Sequence, residues 1–262
     1  MISQKDITEW RIYAPWLKDI LVKKDLIQSK ILIDLFNNEI LSEKFALRGG
    51  LAINKLYLLS PSRYSEDINL VQIYPEPIGI IIDEIRRSLS WLGEPVRKQT
   101  KDKITLYYNK SLKFILDQGI KIVISIREHS SLKGLIKKKY KIENSWFSGE
   151  ADIVTFTIEE LLAIKLKDLY FKQRGRDLFD IYIISQKCNN IDKILVIQIL
   201  KKYFIREVRK VSRFLYERNL VYKMRNLNFV SDISPLLPSN SKGYNYEIAY
   251  HHIIKHYISL LR

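Results

Sequence analysis

The apolar positions change period along the chain, and each change marks an element. Between Ile20 and Ile40, the residues Leu21, Leu26, Ile31, Leu32, Leu35 and Phe36 recur at helical spacing among Lys, Asp and Asn, which predicts an amphipathic helix. Phe45-Ala46-Leu47-Arg48 then meets Gly49-Gly50, and the apolar stretch Leu51–Leu59 follows, an order of short strand, glycine turn and helix. After a polar link over Ser60–Glu66, Asp67-Ile68-Asn69-Leu70-Val71 alternates polar with apolar positions. That period predicts a strand with Asp67 and Asn69 on one face. Pro75 and Pro77 end it, Ile78–Leu92 reads as a helix closed by Gly93 and Pro95, and Lys103–Tyr108 and Gly119–Arg127 read as strands extending the same sheet. Lys133–Lys141 has no clear period and reads as a loop or a short exposed element.

From Thr157 the signal is helical again. Thr157-Ile158-Glu159-Glu160 has the form of a capping box, and the helix should run through Leu161, Leu162 and Leu166 towards Tyr170. A second helix is expected near Asp177, after the turn Gly175-Arg176, ending at about Gln186. Beyond Cys188-Asn189-Asn190 the pattern is helical almost throughout, broken over Ser231–Gly243 by Pro235, Pro238 and Gly243. The expected fold class is therefore α+β, with a mixed sheet and its helices over 1–187 and a C-terminal helical bundle over 188–262.

Hydrophobic residues make up 47% of the 262, enough to bury a sizeable core. The formal net charge of +15 adds a direction: it favours polyanionic partners such as RNA, DNA or nucleotide phosphates, against the alternative that it reflects lysine-rich composition alone. Cys188 stands alone, which excludes an intramolecular disulfide and a multi-cysteine metal cluster and fits a reducing compartment. Charges interrupt the first residues, and no stretch reaches the run of about 18 apolar residues that a spanning helix needs. The expectation is a cytoplasmic protein with no membrane partner.

Gly49-Gly50 before a helix lets the backbone approach a phosphate closely. Lys165 interrupts a helix otherwise rich in Leu and Ile, which calls for an anionic partner unless the side chain snorkels to water. Asp177 also fits the N-cap of its own helix, and Asp180 fits a structural bridge to Arg176. Lys202, Arg206, Arg209 and Arg213 recur at helical spacing beside Phe204, Val208, Val211 and Leu215. They form either a basic stripe for an RNA backbone or a solvated face. Lys133, Lys137, Lys138, Lys139 and Lys141 make a second basic group. His252 and His256 lie one helical turn apart, but only Glu247 accompanies them, too few ligands for a four-coordinate metal.

Four segments carry a resemblance: Arg48-Gly49-Gly50-Leu51-Ala52, Arg63-x-Ser65-x-Asp67-Ile68-x-Leu70, Glu160-Leu161-Leu162-Ala163-x-Lys165-Leu166, and Arg174-Gly175-Arg176-Asp177-Leu178-x-Asp180. In this order they resemble the successive motifs of the AbiEii-type nucleotidyltransferase toxins of bacterial abortive-infection systems. The resemblance implies a polymerase-β-like nucleotidyltransferase core, a nucleoside triphosphate substrate, Mg²⁺ as cofactor, an antitoxin protein as partner and, in some relatives, transfer of nucleotides to tRNA ends. Carried over by position, Arg48, Gly49, Gly50, Arg63 and Ser65 fall in the nucleotide site, and Asp67 and Asn69 would hold the metal. Lys165 would neutralise the triphosphate, and Asp177 is the late acid that assists the metal or activates the acceptor. Asp67, Lys165 and Asp177 form the implied catalytic set.

The chain departs from the pattern at three places. Asn69 stands where the family has a second aspartate, the strand Gly119–Arg127 carries no acid, and Leu51 replaces a small hydroxyl residue. Three readings stay open: transfer of a nucleoside monophosphate to an RNA (tRNA) or protein hydroxyl, a catalytically degenerate relative that binds nucleotide or nucleic acid, and a basic protein-interaction module.

Overall fold

The computed structural model describes residues 2–58, 60–109, 119–238 and 243–261. The chain divides into two compact units, 1–156 and 157–262. The break precedes the change in composition at 188, and the helices between 157 and 187 pack with the C-terminal ones.

The first unit opens with α1 (Gln4–Trp10) and α2 (Asp19–Phe36), then β1 (Phe45–Arg48) and α3 (Gly49–Ala52), which runs on as a π-helical turn over Ile53–Tyr57. Next come β2 (Asp67–Gln72), α4 (Ile78–Ser88), β3 (Val96–Gln99), β4 (Lys103–Tyr108), β5 (Ile120–Ser125), β6 (Leu135–Ile142) and β7 (Gly149–Phe156). The strands form one seven-stranded sheet in the order β3-β4-β5-β2-β1-β7-β6. It is mixed: β2 runs parallel to β5 and β1 to β7, while the other pairs are antiparallel.

Alternation fixes which face is core. Ile68 pairs with Ile122 and Leu70 with Ile124, Leu106 and Ile104 continue these rows on β4, and all six side chains are buried. Burying each aliphatic side chain contributes about 1.5–3 kcal/mol, and a one-residue slip would lose this row and bring Asp67, Asn69 and Lys121 into its place.

Several expectations change here. The helix after β1 begins at Gly49 itself rather than at Leu51, and Leu59 lies outside the described residues. The lysine-rich segment is not a loop. It is β6, paired along its length with β7, and its alternating Lys137, Lys139 and Lys141 are exposed. Both ends of the sheet are strands rich in basic residues, β6 at one end and β3 with Arg97 and Lys98 at the other. Lysines on an edge strand discourage pairing with another sheet, which accounts for part of the positive charge without any ligand. The helix α1 and the strands β3 and β7 complete the unit; every residue of β3 is exposed, so it leaves no alternation to read.

A buried carboxylate ties α1 to the core. Asp25 on α2 accepts from the indole nitrogens of Trp10 (3.0 Å) and Trp16 (3.2 Å) and pairs with Lys55 Nζ at 2.7 Å. Burial opposes the Lys55 charge, yet Asp25 and Tyr140 beside it hold the ammonium above its ordinary pKa.

The second unit is helical: α5 (Ile158–Phe171), α6 (Gly175–Lys187), α7 (Lys193–Arg206), α8 (Arg213–Met224), α9 (Leu227–Ser231) and α10 (Tyr246–His256). Thr157 caps α5, its hydroxyl accepting from the Glu160 amide at 3.4 Å, and the Glu160 carboxylate accepts from Tyr203 Oη at 2.8 Å. The far end of α5 is closed by a side chain. Lys223 of α8 donates to the carbonyls of Leu169, Tyr170 (2.6 Å) and Lys172 (2.8 Å), and burial pulls its pKa down to about 8. Part of the Ser231–Gly243 break, residues 239–242, lies outside the described residues. Among the described residues no helix is long and apolar enough to cross a membrane.

Gly175 opens α6 against the backbone of α9, where an added Cβ would overlap the Phe229 carbonyl oxygen. Overpacking of this kind costs about 1–3 kcal/mol. Gly175→Ala should therefore lower the thermal midpoint measured by circular dichroism, whereas Gly134→Ala, which meets nothing within 4 Å but sits at φ +86°, should lose only its backbone term.

Candidate functional site

The face of the sheet opposite the aliphatic rows carries the polar residues. Asp67 and Asn69 share it, as the alternation required. Arg48 lies opposite Asn69 on β1, and Lys121 lies opposite Asp67 on β5. Lys121 Nζ is 3.1 Å from Asp67 Oδ2. Arg48 donates to Ser125 Oγ at 2.6 Å and forms an ion pair with Glu128. Tyr107, opposite Lys121 on β4, completes the row, with Lys121 and Lys98 at 6.0 and 5.5 Å from its ring centroid. The face thus presents two guarded acid–base pairs and one further ammonium.

At its edge stands the glycine turn. Gly49 has φ +78°, a conformation that L side chains rarely adopt, and the Asn69 side chain lies against it. Gly50 is needed for space, because a Cβ there would overlap the guanidinium of Arg63 and crowd Ser65 Oγ. Arg63 and Ser65 are both buried, and Arg63 Nη1 donates to the Tyr64 carbonyl at 2.8 Å. Sequence reasoning missed two buried amides that frame this region. Asn54 donates to the Gly50 carbonyl and accepts from the Ser62 amide, both at 2.8 Å. Gln28 of α2 donates to the carbonyls of Ser65 and Glu66, both at 3.0 Å. Neither belongs to a motif; their signal in sequence is only a polar residue on a buried helix face. Arg48, Gly49, Gly50, Arg63, Ser65, Asp67 and Asn69 are therefore brought together in the first unit.

The residues do not fit the implied Mg²⁺. Hard cations take near-octahedral oxygen coordination, usually anchored by carboxylates. Here Asp67 is the one acid of the pair, its oxygen faces an ammonium, and the Asn69 amide nitrogen donates to the Asp67 backbone carbonyl at 3.2 Å. Among the described residues no group of three or more His, Cys, Asp or Glu is placed to hold a metal.

The other expected site residues lie in the second unit. Lys165 Nζ is 2.6 Å from Asp177 Oδ1 and 2.7 Å from Asp180 Oδ2, and all three side chains are buried. The anionic partner that Lys165 called for is supplied by the chain itself. Asp177 is not an N-cap: α6 starts at Gly175 with Arg174 as its cap, which puts Asp177 inside the first turn. Asp180 pairs with Lys165, and Arg176 pairs with Asp232, whose carboxylate also accepts from the Arg176 amide at 3.0 Å.

The basic stripe is not one helix. Lys202 and Arg206 end α7, Arg209 lies in the link, and Arg213 opens α8, the turn being made at Val208 with φ 52°. All four basic residues are exposed, Phe204 is buried and Val208 faces solvent. His252 and His256 stack with ring centroids 4.4 Å apart; burial, then the neighbouring His256 and Lys193, pull His252 down to about 4.

Two experiments follow from this geometry. Removing one partner of a buried ion pair costs about 3–5 kcal/mol. Lys165→Ala should thus strongly lower the unfolding midpoint, and adding Asp177→Asn and Asp180→Asn should recover at least half of the loss. At the turn, Gly49→Ala should cost about 1–2 kcal/mol through its backbone. Gly50→Ala should instead act through Arg63, so a double-mutant cycle with Arg63→Ala should be strongly non-additive in urea unfolding.

No curated protein sequence matches the chain. MenT4, the nucleotidyltransferase toxin Rv2826c from Mycobacterium tuberculosis H37Rv, is similar in structure, with a TM-score of 0.64 and 13% identity over 97% of this chain and 89% of that one. JHP933 from Helicobacter pylori gives 0.51 and 16% over 90% and 89%. A putative nucleotidyltransferase from H. pylori gives 0.51 and 14% over 93% and 94%. At such identities these likenesses establish the fold, α+β with a mixed sheet. The model of the family described as "Nucleotidyl transferase AbiEii toxin, Type IV TA system" matches residues 30–246, most of the chain. The protein belongs to the AbiEii family of nucleotidyltransferase toxins of type IV toxin–antitoxin systems.

Proposed function

We propose that the chain transfers a nucleoside monophosphate from a nucleoside triphosphate to a hydroxyl of RNA, with tRNA as the first candidate, and that this transfer makes it a growth-arresting toxin opposed by an antitoxin protein. The observation that carries this reading is the convergence, in a chain of this family, of Arg48, Asn69 and Asp67 on one face of the sheet, with the glycine turn and the buried Arg63 at its edge. The net charge of +15 and the exposed Lys202, Arg206, Arg209 and Arg213 support a polyanionic acceptor over a protein hydroxyl.

In the reaction the acceptor oxygen bonds to the α-phosphorus, the bond to the bridging α–β oxygen breaks, pyrophosphate leaves, and the hydroxyl proton passes to a base. Asp67 is the carboxylate on the face suited to orient that hydroxyl and accept its proton. In this reading the phosphates lie by the turn at Gly49 and Gly50, against which Asn69 and Arg63 pack, and guanidinium and ammonium groups offset the charge that develops on the leaving pyrophosphate. Lys165 and Asp177 are paired within the second unit, Lys165 with Asp180 as well, and no step at this face is assigned to them. No step is assigned to Mg²⁺, which the donor set does not fit.

A second reading has its own support: a relative that binds nucleotide without turnover, because the Asp67 carboxylate is already engaged by Lys121. Incubation of the full chain with each α-labelled nucleoside triphosphate and total tRNA decides between the two. Transfer predicts label on tRNA with at least one nucleotide and a loss of about 100-fold or more in Asp67→Asn. Absence of label on RNA and protein in all combinations would leave the binding relative.

A further inference from the structure

The pair formed by Asp67 and Lys121 is placed as a site rather than as a brace. Each side chain is about a third exposed, 34% and 35%, and ion pairs so open to water add little to folding. Their position nevertheless is fixed, because they are register partners on two parallel strands whose opposite faces bury Ile68, Leu70, Ile122 and Ile124. The Lys121 ammonium lies 3.1 Å from Asp67 Oδ2, so a cation coordinated by that oxygen would share it with the ammonium. A divalent ion there would meet the ammonium at close range with one carboxylate to hold it. The remaining groups of this face do not correct the balance: Asn69 is neutral, Val123 is apolar, and the nearby Arg48 is itself cationic and already paired with Glu128.

We propose that Lys121 serves as the built-in counter-cation of this site, so that the chain takes a nucleoside triphosphate without a divalent metal ion. The inference rests on the nucleotide reading above and deepens it. An ammonium on a four-carbon stem exchanges one anionic oxygen for another at small cost, so Lys121 can turn from Asp67 to a phosphate and leave the carboxylate to the acceptor hydroxyl. Lys98, on β3 beyond Tyr107, places a second ammonium 5.5 Å from the same ring. The acid-free strand and the amide at Asn69 thus fit one exchange, in which the Lys121 side chain supplies positive charge in a metal's place.

The test is equilibrium binding of the four α,β-methylene nucleoside triphosphates to the full-length chain by calorimetry, once in EDTA and once in MgCl₂, with Mn²⁺ binding followed by electron paramagnetic resonance. The wild-type chain should bind at least one nucleotide with dissociation constants that agree within about threefold between the two conditions. Lys121→Ala should weaken binding in EDTA by about tenfold or more, and Lys121→Asp should gain a bound Mn²⁺ signal and become Mg²⁺-dependent. Wild-type binding that collapses in EDTA overturns the proposal and leaves the nucleotide reading standing, as does Lys121→Ala binding as tightly as the wild type in EDTA. Absence of binding under both conditions removes the nucleotide reading and the proposal together. The wild-type comparison is independent of how well either variant folds.

Discussion

Asp67 faces Lys121 because β2 and β5 run parallel in a register that the aliphatic side chains between them enforce. Ile68, Leu70, Ile122 and Ile124 are fully buried on one side, and a shift by one residue would drive the charged pair into that core. The chemistry of the outer face is thus a consequence of packing on the inner one. The glycine turn inherits its place in the same way, since it begins where β1 ends and β1 is held to β2 along its whole length.

Within this frame the chain is a family member with an altered charge pattern. The turn, the buried Arg63 and the carboxylate at the start of β2 lie in the segments that resemble its motifs, while Asn69 is an amide and Lys121 an ammonium beside that carboxylate. The second unit tells a parallel story: the motif lysine pairs with the two motif aspartates in a buried cluster that ties α5 to α6. Residues that a motif marks as chemical are here also structural, and loss of activity on their substitution has to be separated from loss of fold.

Much of this was legible in the residues. The period of two over Asp67–Val71 gave the shared face of Asp67 and Asn69 correctly, since alternation along a strand is a local property. The partner of Asp67 was not legible, because Lys121 lies 54 residues away and strand pairing over that distance leaves no local trace. The lysine-rich strand β6 was hidden because an edge strand can be polar on much of its surface. The basic residues from Lys202 to Arg213 kept a helical period across a real break, as the chain turns at Val208 without the usual proline or glycine. Gln28 and Asn54 were invisible for a simpler reason: nothing local distinguishes a buried amide from a solvated one.

The closure of α5 by Lys223 bears on how the second unit assembles. The final carbonyls of that helix find their donors only when α8 has docked, and the lysine finds acceptors for its desolvated amine only when α5 is complete. Neither helix is finished alone. Partial structures in which one forms ahead of the other carry unsatisfied polar groups, so this unit should melt and re-form as a single cooperative block, with few half-folded species exposed to proteases.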